Sequence, residues 1–338
     1  MKEALKQLDH LFITYHPPDI EYLTGKTVSR GTVIFGMGQA AFFVDSRYRD
    51  GCTDLTHFEL YDEKLATKRD YLAKLRPKKI AYDPSTISLM NYREIEAYPL
   101  VESDLLRRTR AVKTPQELEL VRKAARLNAE SYSHLVSQLK IGMREGEAAW
   151  IFEKYAREHG SEGVSFSPTV AFGKNSAIPH YKGSEGVLKE DMPVLIDVGV
   201  FKDRYASDMT RSFYFQGSDP QYQKIYDLVV SAQKEACAQI RPGLPIAEVD
   251  RLIRMRFKQE GFEEHFKHAS GHGLGLEIHE YPRLWHETNP EMVLEENMAI
   301  TVEPGLYFPG KWGIRYEDTL IIHKEGVENL YENGNRTR

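Results

Sequence analysis

Four acids and a group of histidines have the types and spacing to do chemistry together. Asp197 and Asp208 stand in LIDVGVFKDRYASDMT, and Glu303 and Glu317 in ITVEPGLYFPGKWGIRYEDT. Between the pairs, HASGHGLGLEIHEYP carries His268, His272 and His279, and upstream NSAIPHYKGSE carries His180. Most acids on hairpins are solvated, but these are flanked by apolar runs at 194–198, 299–302 and 320–322, which implies strands buried on at least one face. Buried carboxylates that oppose one another either share a proton or surround a cation. A shared proton suits a two-acid protease dyad; four acids ask for more positive charge. His268 and His272 have the four-residue spacing of a zinc helix, yet Ala269 stands where its glutamate belongs and Gly271, Gly273 and Gly275 disfavour a helix. The glycines do not match a dinucleotide loop either. A loop and strand delivering one imidazole to an oxygen-rich site fits better, with neighbouring histidines facing the substrate.

Two hairpins must position the acids. A turn centred on Lys202 and Asp203 would set Asp197 opposite Asp208, with Cβ atoms roughly 4.5–5.5 Å apart. A three-residue turn on Pro309, Gly310 and Lys311 would set Glu303 opposite Glu317. The hairpins rhyme: Gly199 and Gly305 each follow the first acid by two residues, and Thr210 and Thr319 each follow the second. A longer echo supports an internal duplication. GMREGEAAWIFEKYAREHG runs from Gly142 to Gly160, and GLPIAEVDRLIRMRFKQEG from Gly243 to Gly261, with Glu147 over Glu248, Ile151 over Leu252 and Phe152 over Ile253.

The 338 residues, 41% apolar and 28% charged, suffice for two domains. GTVIF and AFFVDSRY read as strands of a small α/β domain. Thr114, Pro115 and Glu117 then announce a long helix: cap, first-turn proline, early acid. The expected division is 1–110 and 111–338. A net charge of −5 offers no basic field for nucleic acid or anionic membranes, and the N-terminal stretch lacks an uninterrupted apolar run. Two cysteines, Cys52 and Cys237, make no disulfide framework, so a reducing cytoplasm is expected.

In order and at the expected separations, LIDVGVFKDRYASDMTRSF, GHGLGLEIHEYP, ITVEPGLY and IRYEDTLII resemble the pita-bread metallopeptidases, and within them the Xaa-Pro peptidases, aminopeptidase P and prolidase. YLTG, FFVDSRY and RAVKTPQELELVRKAA extend the resemblance across nearly the whole chain. It implies a creatinase-like, RNase H-like α/β N-terminal domain and an α+β pita-bread catalytic domain with a pseudo-twofold duplication. By resemblance the metal ligands are Asp197, Asp208, His272, Glu303 and Glu317. Asp208 and Glu317 would bridge two divalent ions, Asp197 would hold one, and His272 with Glu303 the other. Oxygen-rich ligands with one imidazole suit manganese, cobalt, zinc or iron. A metal-bridging hydroxide would attack the carbonyl of an Xaa-Pro bond. His268 and His279 resemble groups that bind the substrate carbonyl or steady the tetrahedral intermediate, His180 resembles the histidine at the substrate mouth, and Arg315 could orient a ligating acid. The partners implied are a peptide with proline at its second position and, by analogy, a second copy in a homodimer. The alternatives are a methionine aminopeptidase-like specificity, a metal-free binding protein on the same scaffold and a creatinase-like amidinohydrolase; the last two predict broken ligand sets. At Asp19, in HPPDIEYLTG, the sequence departs from the resemblance, whose pattern more often has asparagine.

Overall fold

The structure, a computed structural model, describes residues 8–332. They form two compact units that divide between Arg110 and Ala111. Among the described residues no helix is long and apolar enough to cross a membrane.

In the first unit six strands make one mixed sheet, in the order Glu59–Asp62, Gln39–Val44, Gly31–Gly36, Leu11–Thr14, Ile80–Tyr82, Leu100–Glu102. GTVIF and the start of AFFVDSRY are adjacent antiparallel strands, Gly31–Gly36 and Gln39–Val44. Met37 and Gly38 join them with φ of 53° and 74°, the left-handed pair that a two-residue hairpin loop needs. After Val44 the chain leaves the sheet, because the Asp45 carboxylate accepts from Arg47 N and caps a short helix. Alternate residues feed opposite faces. Phe12, Val33, Phe35 and Phe42 pack on one side, and Ile13, Ile34, Ala41 and Phe43 on the other. Asp19 is fully buried and accepts from Thr14 Oγ1 at 3.1 Å and Arg110 Nη1 at 2.8 Å. Burial pushes its carboxyl up, but His16 and Arg110 hold it below its ordinary range. Here the departure from asparagine is absorbed as a buried ion pair.

The second unit is built twice. Thr114 caps helix Pro115–Gln138 through a reciprocal capping box with Glu117, as the sequence predicts; Asp219 caps helix Pro220–Cys237, again with proline at its start. Each is followed by a 14-residue helix, Glu145–Glu158 and Ile246–Gln259. The glycines bounding them share left-handed backbones: φ is 89° at Gly142 and 88° at Gly243, 87° at Gly160 and 80° at Gly261. Gly142 N donates to Leu188 O and Gly243 N to Leu294 O, both at 2.8 Å. Phe152 and Ile253 are both fully buried. Each helix pair covers its own sheet and core. Phe152, Val170, Val194 and Ile196 fill one core, and Ile253, Phe257, Ile300 and Leu320 the other.

The first sheet has three strands, Met209–Phe215, Met192–Val198 and Thr169–Phe172, with Thr169–Phe172 at one edge. The second has five, in the order Glu280–Leu284, Gly271–Gly273, Ala299–Val302, Asp318–His323, Gly326–Asn329. An antiparallel bridge, Thr210 with Glu317, joins the two halves beside the acids, with Glu317 N donating to Thr210 O at 3.1 Å.

Candidate metal centre

The two hairpins bring the acids together in different ways. In the first, the loop falls on Asp203 and Arg204, with φ of 50° and 71°, closing the pair Lys202 and Tyr205. Both loop positions are left-handed, as a two-residue hairpin loop requires, and the aspartate is a residue that tolerates that backbone. The loop therefore lies one residue later than a turn on Lys202 and Asp203. Asp197 consequently faces Thr210, not Asp208. Asp208 occupies the diagonal position, from which a side chain still reaches its neighbour. The second hairpin has the expected register. Phe308 pairs with Trp312 around Pro309, Gly310 and Lys311, and the same register runs through Gly305–Arg315 to Val302–Asp318, so Glu303 and Glu317 are opposed.

These elements converge with the histidine segment. One ligand atom each from Asp208, His272 and Glu317 lies within 4.8 Å of the other two. His272 Nε2 is 3.5 Å from Asp208 Oδ2 and 3.6 Å from Glu303 Oε1. Asp197 takes a 2.5 Å hydrogen bond from Arg315 Nη2 on Oδ2, while its buried Oδ1 has no hydrogen-bond donor. The rhyming threonines cross between the halves: Thr210 Oγ1 donates to Glu317 Oε2 at 2.7 Å, and Thr319 Oγ1 to Asp208 O at 2.9 Å.

His272 is delivered by strand Gly271–Gly273, not by a helix. Its flanking glycines are there for space. A Cβ on Gly271 would lie 2.0 Å from Thr301 O, and one on Gly273 2.2 Å from Tyr281 O. Because those neighbours are backbone, Gly273→Ala is expected to cost roughly 3 kcal/mol, the upper end for overpacking. A thermal melt should show it as a lower midpoint; a variant melting with the parent would mean that the strand has slack.

The electrostatics follow from burial. Glu317 and Asp208 are pushed well above the carboxylate range, first by desolvation and then by the other acids. Desolvation also carries Glu303 up to about 8, against the pull of Arg315 and with Asp197 adding repulsion. His272 and His268 are driven down to about 3, chiefly by burial, so both are neutral at pH 7. His272 Nδ1 lies 3.0 Å from Gly273 O; a carbonyl can only accept, so the proton sits there and the bare Nε2 lone pair faces two carboxylates. Carboxyl oxygens and a bare imidazole nitrogen converging in a buried site, beside the orphaned Asp197 oxygen, are a donor set that divalent cations could satisfy in place of the protons the acids otherwise hold.

The accessory residues separate. His268 is occupied by the protein: Nδ1 meets Ala269 O at 2.8 Å and Nε2 meets the Tyr307 hydroxyl at 2.9 Å. Tyr307 in turn accepts from Arg315 Nη1 at 2.7 Å, so His268, Tyr307, Arg315 and Asp197 form one chain. Sequence reasoning missed Tyr307. The signal was its alternation with Glu303 along the strand, and the bracketing glycines: a Cβ on Gly305 or Gly313 would come within 2.6 Å of its ring or hydroxyl. His279 packs edge-on against His272, ring centroids 4.4 Å apart. Both line a cavity of about 780 Å³, together with His180, His268, the four acids, Arg315, and two further cations the sequence did not flag, Lys182 and Arg283.

Comparison with known proteins identifies the family. The model of metallopeptidase family M24 matches residues 119–324, and that of the creatinase/prolidase N-terminal domain matches residues 2–112. The uncharacterized peptidase YqhT of Bacillus subtilis is 30% identical over 98% of this chain and 93% of its own length. An Xaa-Pro dipeptidase of Pyrococcus furiosus is 30% identical over 98% of each. Among solved structures, an Xaa-Pro dipeptidase from Bacillus anthracis aligns with a TM-score of 0.90 at 29% identity, over 96% of this chain and 93% of that one. An X-Pro aminopeptidase from Thermotoga maritima aligns at 0.84 and 29%, over 95% of each. The chain thus belongs to metallopeptidase family M24, its catalytic unit preceded by a creatinase/prolidase N-terminal domain.

Proposed function

We propose that the protein hydrolyses Xaa-Pro peptide bonds with two divalent ions held by Asp197, Asp208, His272, Glu303 and Glu317. The observation that carries this reading is the bare His272 Nε2 facing Asp208 and Glu303 on the wall of a peptide-sized cavity. The family depends on a dinuclear centre. When bound, two such ions supply Lewis acidity toward the scissile carbonyl and bring the pKa of water toward 7. The remaining work falls to side chains. Arg315, pinned between Tyr307 and Asp197, fixes the rotamer of Asp197 and leaves its Oδ1 free to ligate. Thr210 does the same for Glu317. His279 and His180, on the cavity wall, offer donors to the substrate carbonyl, and neutral His268 acts through Tyr307. Lys182 and Arg283 place positive charge where a free C-terminal carboxylate would enter.

The oxygen-rich set favours manganese, with cobalt, zinc or iron as lesser fits. Cys52 and Cys237 are free thiols, in keeping with a reducing cytoplasm, and a homodimer is the expected assembly. Two relatives named as an Xaa-Pro dipeptidase and an X-Pro aminopeptidase leave two substrate lengths to separate. The test is product analysis on Gly-Pro, a longer Xaa-Pro-Xaa peptide and Met-Ala, with metal content measured on the same sample. Cleavage of Gly-Pro in preference to the longer peptide is expected. Cleavage of Met-Ala alone would move the assignment to a methionine aminopeptidase-like specificity, and protein holding two metals but cleaving neither proline peptide would refute it.

A further inference from the structure

Glu145 is a buried acid outside the metal cluster, and it touches none of the ligands. It begins helix Glu145–Glu158, is 1% exposed, and its carboxylate takes four hydrogen bonds. Oε1 accepts from Phe172 N and Asn175 Nδ2, each at 2.8 Å; Oε2 accepts from the Tyr181 hydroxyl at 2.8 Å and Gly186 N at 2.9 Å. All four donors belong to one stretch, residues 172–186, which leaves edge strand Thr169–Phe172 and contributes Pro179, His180, Tyr181, Lys182 and Gly183 to the cavity wall.

The internal duplication provides a control within the molecule. The residue matching Glu145 in the second half is Ile246, also the first of a 14-residue helix and also fully buried. An apolar side chain therefore suffices for that helix start. Beyond the matching strand the two halves diverge. After Gly271–Gly273 the chain returns as strand Glu280–Leu284 and pairs with it, Gly271 with Leu284 and His272 with Arg283. After Thr169–Phe172 no strand returns; the loop crosses the edge with backbone N–H groups that need an acceptor. A buried carboxylate is a costly way to stabilise a fold but an effective way to gather several donors at one point.

We infer that Glu145 is a positioning residue: its carboxylate replaces the missing strand, holds the 172–186 loop, and so sets the place of His180 and Lys182 for peptide binding. This rests on the peptidase reading of the cavity. The test compares Glu145→Gln and Glu145→Ile, the latter copying the second half, with the parent in full-length, manganese-loaded protein. In Glu145→Gln one amide oxygen remains and the Gly186 N–H loses its acceptor; in Glu145→Ile all four bonds are lost. KM for Gly-Pro is expected to rise about tenfold or more in Glu145→Ile and less in Glu145→Gln, while kcat changes under threefold and metal content stays at the parent's. Amide hydrogen exchange should accelerate in 172–186 and not in helix Glu145–Glu158. An unchanged KM, or exchange that rises throughout the unit or nowhere, would overturn the inference. The exchange arm needs no substrate, so a parent inactive on proline peptides would sink the specificity reading alone.

Discussion

Asp208→Asn is expected to lower kcat for the best proline dipeptide by at least about a thousandfold while raising the melting temperature of the metal-free protein. The two effects have one cause. Asp208 is 4% exposed, and burial together with Glu317, Asp197 and Glu303 pushes its carboxyl far above the ordinary range. An amide of the same shape removes the repulsion, so the empty fold gains. It also removes a ligand oxygen from the group formed with His272 and Glu317. Water with its unassisted pKa of about 15.7, in place of one near 7, leaves so little hydroxide at neutral pH that a thousandfold loss is a conservative figure. Elemental analysis should find fewer than two ions per chain. A variant with parental activity, or one whose metal-free form melts lower than the parent, would contradict the cluster as described.

Metal-free protein should lose stability as pH rises, the reverse of the usual behaviour of a folded carboxylate. Glu303 titrates at about 8 when folded against 4.5 as a free side chain, and Asp208 and Glu317 shift in the same direction. Between these values the folded state holds protons that the unfolded chain has released, so unfolding free energy falls with pH. The stabilising protonation is complete below about 4.5 and gone above about 8. Manganese acts oppositely, because it competes with those protons and binds more tightly as pH rises. At a thousandfold excess over its dissociation constant each ion adds about 4 kcal/mol, which for a unit of this size corresponds to a shift on the order of 10 °C or more. Melts at pH 6.5 and 8 with EDTA or manganese, above the range in which the buried His268 and His272 add stability as pH rises, should therefore show a gap that widens with pH. A metal-free midpoint that is flat or climbs across that window would mean the acids are solvated.

Much of this site was legible from residue types. Strand–turn–strand reading with correct loop length placed Glu303 opposite Glu317, because a three-residue loop containing glycine allows one register. The first hairpin was misplaced by one residue because Lys202–Asp203 and Asp203–Arg204 are both plausible loops, and only the left-handed backbone of Arg204 decides between them. The duplication was visible in matched glycines and buried positions, since both depend on local geometry. Tyr307, Lys182 and Arg283 were not flagged, because what makes them part of the site is contact across more than one element. Glu145 was hidden for a related reason: a first-turn acid reads as a favourable partner of the helix dipole, and its four donors lie 27 to 41 residues downstream.

The bridge between Thr210 and Glu317 also bears on synthesis. The first half emerges from the ribosome carrying Asp197 and Asp208 but not His272, and its threonine points toward a carboxylate that has not yet been translated. A nascent chain or fragment stopping short of residue 317 would lack both that carboxylate and Tyr331, which packs in the first half's own core, so neither the core nor the acid cluster closes until residues 317–331 have been made.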